Sequence, residues 1–181
     1  MSAAPDDPAI ERSLDSLART PAVLRALLDG LEEPWLRADE GANTYSAYDV
    51  VGHLIHGEDT DWIPRVEHLL RHGETQPFVP FEREGMRERF AKMTMAELLA
   101  LFERRRAESL ARLRSLALTN ADLERRGRHP ELGSVTLHEL ISTWVVHDLA
   151  HLAQVARVLA KHRAPEIGPW KAYFRVLGDR A

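Results

Sequence analysis

The sequence predicts an all-α protein: an antiparallel four-helix bundle with a long connection between helices 2 and 3 and a short C-terminal helix. Apolar residues recur at helical spacing in four long segments, and the alternation typical of strands is absent. Three of these segments follow a Ser or Thr with an acidic residue three positions later, which is a helix-capping pattern. Long amphipathic helices bury their apolar faces most simply against one another.

The four bundle helices are predicted from periodicity and caps. They cover residues 10–31, 46–71, 95–116 and 137–162. The caps are Ser46 with Asp49, Thr94 with Glu97, and Thr136 with Glu139. We expect Pro21 to mark a kink or a restart in the first helix, and Pro64 to bend or break the second, because proline is tolerated only in the first turn of a helix.

The connecting segments differ in length and in predicted content. Residues 32–45 and 119–134 are predicted to be loops without strands. Residues 73–93 form the long crossover, with a short helix at 83–91. The C-terminal stretch "GPWKAYFRVL" is predicted to be a short helix.

Length, charge and composition exclude several classes of protein. A chain of 181 residues is predicted to form a single domain spanning residues 1–181. Its net charge of -4 predicts no nucleic-acid partner. The absence of cysteine excludes disulfides, thiolate ligands and a cysteine nucleophile. We expect a cytoplasmic protein without a membrane partner, because "MSAAPDDPAI" is no secretory signal and no apolar run spans a bilayer.

Two histidines stand four residues apart in "HDLAHLAQ", within the fourth helix. On a helical wheel of about 100° per residue, His151 falls inside the apolar arc and His147 at its edge. Because a charged imidazole is destabilised there, both rings are expected to be neutral and to need partners. They are either two ligands of one metal ion or core histidines satisfied by hydrogen bonds.

A third ligand must come from another helix. His53 in "VVGHLIHGED" borders the apolar arc of the second helix, and periodicity prefers it over His56 only modestly. His68 and His72 repeat the four-residue spacing but are expected on a solvated face near the end of that helix. The remaining histidines are expected on the surface: His129, His138 and His162.

Several polar residues are candidates for supporting or pocket roles. Asp148 differs from the Glu of the H-E-x-x-H protease motif, and no third ligand follows at protease spacing. We expect Asp148 to orient a ligand histidine or to pair with Arg106. Glu58 and Asp61, on the inner side of the second helix, are likewise expected to orient a ligand histidine or to pair with an arginine. Gln154 is expected beside the face of the fourth helix that carries the two histidines. Each of these residues could equally be a satisfied polar group without a part in chemistry.

The motifs together resemble the DinB-like superfamily. The resemblance is carried by "VVGHLIHGE", "HPELGSVTLHEL" and "VVHDLAHLAQ", and it extends over residues 14–177. It implies a bundle that is often a homodimer and a divalent metal ion on His53, His147 and His151. It also implies enzymes that use a low-molecular-weight thiol as transferases or isomerases, or metal-dependent hydrolases.

The favoured interpretation is an enzyme acting on a small-molecule substrate. Three neutral nitrogens leave a metal at least one open position, where a thiol or water becomes a nucleophile near neutral pH. Zinc or nickel is favoured as the ion. The aromatic residues Trp62, Trp144 and Trp170 are candidates to line the pocket, although such residues are more often plain core. The alternative, from another functional class, is a metal-binding stress-response protein without turnover.

Overall fold

The computed structural model describes residues 8–83 and 85–178, so the N-terminal stretch 1–7 considered above lies outside the described part of the chain. Its α-helices are α1 (Pro8–Leu28), α2 (Glu33–Arg37), α3 (Ala47–Thr60), α4 (Trp62–His72), α5 (Gly85–Phe90), α6 (Met95–Ser115), α7 (Asn120–Leu123) and α8 (Leu137–Arg163). Strands β1 (Arg126–His129) and β2 (Gly133–Thr136) precede α8, and 3-10 helices Ala164–Tyr173 and Arg175–Leu177 follow it.

The predicted antiparallel four-helix bundle is confirmed. It consists of α1, α3 continued by α4, α6 and α8. Both α1 and α3 pack against α6 and α8, which places α1 and α3 at opposite corners of the bundle. The apolar side chains between the helices include fully buried Leu24, Leu54, Phe102 and Val155.

All three predicted capping boxes are present, at Ser46, Thr94 and Thr136. In each, the hydroxyl accepts a hydrogen bond from the backbone N–H three residues later, and the acidic side chain there accepts from the cap residue's own N–H. The boxes satisfy N–H groups that have no partner inside a helix. They therefore begin α3, α6 and α8 at or next to the predicted residues.

The second bundle helix is interrupted just before Pro64, as predicted. α3 ends at Thr60, and α4 begins at Trp62. A proline ring crowds the carbonyl group four residues earlier, here that of Thr60, which is the last residue of α3, and Pro64 itself lies in the first turn of α4. No restart occurs at Pro21, because α1 continues through it from Pro8 to Leu28.

Several predictions for the connecting segments are wrong. The predicted loop 32–45 contains α2, and the predicted loop 119–134 contains α7 and most of an antiparallel hairpin of β1 and β2. By contrast, the short helix predicted for the C-terminal stretch 168–177 is present, in the form of 3-10 turns with a break at Gly168, where φ is 53°.

The hairpin is held against α4 by contacts distant in sequence, which explains why the pattern of its own residues does not predict it. The N–H of Phe78, in the crossover, donates to the carbonyl oxygen of Arg128 at 2.8 Å. Gly127 lies so close to Phe78 and to Leu69 of α4 that a Cβ there would be 2.9 Å from the Phe78 ring. The hairpin turn is thereby fixed beside the junction of α3 and α4.

No helix within residues 8–83 and 85–178 is long and apolar enough to cross a lipid bilayer.

Candidate metal centre

Three histidines from two helices converge at one point of the bundle. His53 comes from α3, and His147 and His151 come from successive turns of α8. Nε2 of His53 lies 3.0 Å from Nε2 of His147. One ring nitrogen from each of the three lies within 4.8 Å of the other two. The structure therefore brings together the three residues that the sequence analysis singled out as ligands.

The environment keeps two of these imidazoles neutral at pH 7. Burial, followed by the nearby rings of His151 and His147, lowers the pKa of His53 to about 3. Burial, followed by the nearby His147 ring, lowers the pKa of His151 to about 4. A neutral imidazole has one nitrogen with a free lone pair, which is the form that binds metal.

Gln154 determines which nitrogen of His151 is available. The side-chain oxygen of Gln154 lies 3.0 Å from Nδ1 of His151. Because an amide oxygen only accepts hydrogen bonds, Nδ1 carries the proton and Nε2 keeps the lone pair. For His147, the nearest carboxylate oxygen belongs to Asp148 and lies 4.0 Å from Nδ1, beyond direct hydrogen-bond distance.

The three histidines form part of the wall of a cleft of about 890 Å³. Small-molecule sites are typically about 300–1,000 Å³, so this cleft is large enough for a substrate and a second small molecule. Gly57, Asp61, Trp62, Arg65 and Gln154 line it on the bundle side. The outer wall is formed by residues 43–45, by residues 80, 81 and 83 of the crossover, and by residues 129–131 of the hairpin turn.

A buried ionic cluster lies beneath the histidines. The Arg106 guanidinium donates to Glu58 Oε1 at 2.8 Å and 3.0 Å, to Asp148 Oδ2 at 2.5 Å, and to the carbonyl oxygen of Leu17 at 2.8 Å. The Thr20 hydroxyl adds a 2.6 Å hydrogen bond to Asp148 Oδ2. Burial alone would raise the pKa of the Asp148 carboxyl, but the nearby His147 imidazole and Arg106 guanidinium hold that pKa below its usual value.

The cluster joins all four sides of the bundle directly below the candidate ligands. Arg106 is on α6, Glu58 on α3, Asp148 on α8 and Leu17 on α1. The expected pairing of Asp148 with Arg106 is therefore present. Because Asp148 is adjacent to His147 in sequence, the cluster also fixes the part of α8 that carries that histidine.

Of the other residues proposed for supporting or pocket roles, some line the cleft and some do not. Asp61 and Trp62 line the cleft, and burial raises the pKa of the Asp61 carboxyl even though Arg65 pairs with it at 2.7 Å. Trp144 is fully buried behind Trp62, with its ring stacked at 5.5 Å and 9° on the Trp62 ring, and so does not line the cleft. Trp170 is 65% exposed and lies away from it.

Four other histidines lie away from the three candidate ligands. His56 turns to the crossover, where its Nε2 lies 2.9 Å from the carbonyl oxygen of Glu82. His68 and His72 are half-buried and pack against each other, with ring centroids 4.7 Å apart, and His68 Nε2 lies 3.0 Å from the Gln76 carbonyl oxygen. His138 is exposed, as expected.

The sequence analysis missed one histidine of the cleft. His129 was expected on the surface, yet it is half-buried at the end of β1 and lines the cleft. Only the hairpin brings it there, and the hairpin depends on contacts with the crossover and α4. No local pattern in "RGRHPELGS" distinguishes it from a loop histidine.

Comparison with protein-family models matches residues 16–155 to the DinB superfamily, which is most of the chain. The chain belongs to the DinB superfamily. Within the superfamily, this chain is similar in fold to a solved structure from Bacillus subtilis, described as "YfiT from Bacillus subtilis is a probable metal-dependent hydrolase with an unusual four-helix bundle topology". The two share 22% sequence identity with a TM-score of 0.70, over 86% of this chain and 87% of that chain. No curated protein matches the chain.

The donor set of this DinB-superfamily chain fits a divalent metal ion. Two nitrogens bound to one ion at about 2 Å each lie roughly 3–4 Å apart. The 3.0 Å between Nε2 of His53 and Nε2 of His147 falls in this range, and the ring nitrogens of all three histidines lie within 4.8 Å of one another. The low pKa values of His53 and His151 leave their lone pairs available at neutral pH. Three imidazole nitrogens beside an open cleft suit a divalent transition-metal ion.

Proposed function

We propose that this chain is a metal-dependent enzyme that activates a small thiol and transfers it to an electrophilic substrate, or uses it in an isomerisation. His53, His147 and His151 are the proposed ligands of a divalent ion, with zinc or nickel favoured. The observation that carries the proposal is the convergence of three imidazoles on the wall of a cleft of about 890 Å³. A metal held by three neutral nitrogens keeps an open position and lowers the pKa of a thiol or a water molecule there.

A thiol is favoured as the nucleophile by the size of the cleft and by the family resemblance of the histidine motifs. The chain has no cysteine, so any thiol must enter as a second small molecule, and the cleft has room for both reactants. The resemblance on the histidine motifs also includes thiol-dependent transferases and isomerases. Because low-molecular-weight thiols stay reduced in the cytoplasm, we place the reaction in that compartment.

The chain's own residues orient the site. Gln154 fixes the tautomer of His151, and the Arg106 cluster holds α3, α6 and α8 together beneath the ligands. Trp62 and Phe81 contribute apolar surface to the wall of the cleft.

A second candidate is a hydrolase that uses water in place of the thiol. It is favoured by Asp61, whose carboxyl lines the cleft and has a pKa raised by burial, as a general base requires. The description of YfiT as a probable metal-dependent hydrolase supports the same reaction class.

The two candidates are separated by turnover assays on metal-loaded protein. We expect conjugation of 2-mercaptoethanol to 1-chloro-2,4-dinitrobenzene in excess of the uncatalysed rate, and loss of this excess in His151→Ala but not in His68→Ala. Ester hydrolysis that does not depend on added thiol, and falls in Asp61→Asn, would favour the hydrolase. Absence of both activities would favour a metal-binding stress-response protein.

We further propose that the whole chain is one domain and that it forms a homodimer. The outer face of α8 supports a dimer, because Val146 and Leu149 are 64% and 54% exposed there. Light scattering should give twice the mass of the 20.5 kDa chain, and the mass of a single chain would remove the dimer from the proposal.

A further inference from the structure

The turn of the β1–β2 hairpin determines where the proton of His129 lies. Nδ1 of His129 accepts hydrogen bonds from the backbone N–H groups of Glu131, at 3.2 Å, and Leu132, at 3.1 Å. A backbone N–H can only donate, so Nδ1 must have its lone pair towards the turn. The single proton of the neutral ring is therefore on Nε2.

The Nε2–H group of His129 has no acceptor in the part of the chain that the structure describes. No side chain or backbone group within residues 8–83 and 85–178 forms a hydrogen bond with Nε2. The Nε2 atom is accessible to solvent. His129 nevertheless lines the cleft, and the Phe78 ring packs edge-on against its imidazole with centroids 6.4 Å apart. The ring is thus fixed on one edge and open on the other.

We propose that His129 Nε2–H donates a hydrogen bond to an acceptor oxygen of the substrate, so that the electrophile bound in this cleft has a carbonyl or carboxylate group. The proposal rests on the function proposed above, because it takes the cleft beside the three histidines as the substrate site. A donor oriented by two backbone groups needs no reorganisation when an oxygen atom with developing charge lies beside it. A substrate without such an oxygen would leave the donor unpaired and would bind less well.

The two nitrogens of His129 can be tested separately by substitution. In His129→Asn, the side-chain oxygen can replace Nδ1 as acceptor for the turn, but the Nε2–H donor is lost. In His129→Gln, the longer amide can place an N–H near the position of Nε2, although the contact with the turn is weakened. A role limited to the turn predicts damage in His129→Gln, whereas a role in binding predicts damage in His129→Asn.

The experiment measures the affinity of zinc-loaded protein for matched probes by calorimetry. The acids are mercaptoacetate, 3-mercaptopropionate and 4-mercaptobutyrate, so that one of them spans the distance from the metal to His129. The controls are the alkanethiols of equal length, butyrate as an acid without sulfur, and His138→Ala as an exposed histidine variant. Thermal melts of each variant report whether the hairpin is intact.

We expect at least one mercapto acid to bind wild-type protein more tightly than its alkanethiol. The His129→Asn substitution should lower the affinity for that mercapto acid about tenfold. It should leave the affinity for the alkanethiol and the melting temperature unchanged. His129→Gln should retain most of the affinity. Equal losses for acid and alkanethiol, or no loss for any probe, would overturn the proposal. If butyrate bound with an affinity that depends on His129 while no thiol bound, the hydrogen-bond role of His129 would be supported. The same result would overturn the proposed use of a thiol.

Discussion

Arg106 is a charged side chain buried at the centre of the bundle, where both of its side-chain partners are acidic. Glu58 and Asp148 are as inaccessible as the guanidinium itself, with side-chain exposures of 1% and 2%. Replacing Arg106 by Leu would leave two carboxylates buried without a counter-charge. We expect a loss of about 3–5 kcal/mol in the free energy of unfolding, measured by urea denaturation.

The matched control for Arg106→Leu is Arg112→Leu. Arg112 lies on the same helix and pairs with Glu67, but its side chain is 52% exposed. Because exposed ion pairs contribute about 0–1 kcal/mol, this change should have little effect. Similar losses in the two variants would contradict the view that the buried cluster holds the four sides of the bundle together.

The lowered pKa values of two candidate ligands predict how the stability of the metal-free protein depends on pH. Burial lowers the pKa of His53 to about 3 and that of His151 to about 4, from 6.5 in the unfolded chain. Between these values and pH 6.5, the unfolded chain binds more protons than the folded protein, so stability falls as the pH is lowered. The free energy of unfolding, measured by urea denaturation between pH 8 and pH 4, should begin to fall near pH 6.5. In His53→Leu it should fall less steeply as the pH is lowered. A stability independent of pH, or the same slope in both proteins, would contradict it.

At the scale of single residues, the sequence predicts which histidines share a helix face, but only in helices whose apolar residues recur with a clear period. His147 and His151 lie one turn apart on a strongly periodic helix, so their common face follows from the sequence. His53 and His56 both border the same arc, and the choice between them depends on the crossover, whose Glu82 carbonyl binds His56. That contact is invisible in the pattern of α3.

At the scale of elements, the hairpin is the part of the site most sensitive to packing. A Cβ on Gly127 would lie 2.9 Å from the Phe78 ring and 3.0 Å from the Leu69 side chain. Gly127→Ala must therefore displace the side chain of Phe78 or Leu69, or move the strand itself, and we expect it to cost about 1–3 kcal/mol of unfolding free energy. Arg128→Ala, an exposed change on the same strand, is the control and should leave urea denaturation unaltered. An unaffected Gly127→Ala protein would mean that this close packing is not required.

The long helices could be predicted because their apolar period and capping boxes are local signals. The same reasoning failed for α2 and the hairpin for physical reasons. α2 has only five residues, which is too short for a helical period to be seen. Each strand has four residues without apolar alternation, and the residues that pack on Gly127 of β1 are Phe78 and Leu69 in other elements. Consequently the shared face of His147 and His151 could be predicted from periodicity. His53 is favoured over His56 only modestly by periodicity and also by the family resemblance, whereas the position of His129 could not be predicted.

At the scale of the whole molecule, the proposed metal ion joins two helices that already pack together. α3 and α8 are in contact through the core, where Leu54 and Val155 are buried. The bundle should therefore fold without metal, and binding should stabilise it further by mass action. We expect the melting temperature of wild-type protein to rise on adding zinc, and that of His151→Ala to stay constant. A metal-free protein that is unfolded by circular dichroism would contradict this.

The central claim is that His53, His147 and His151 hold one divalent ion, and metal content tests it most directly. Wild-type protein and the single alanine variants of these residues, with His68→Ala as control, are purified without a histidine tag, dialysed and analysed by mass spectrometry. We predict about one ion per chain in wild-type protein and in His68→Ala, and a loss of more than tenfold in each of the other three. Full metal retention by any of those three, or loss of the metal from His68→Ala, would contradict the assignment.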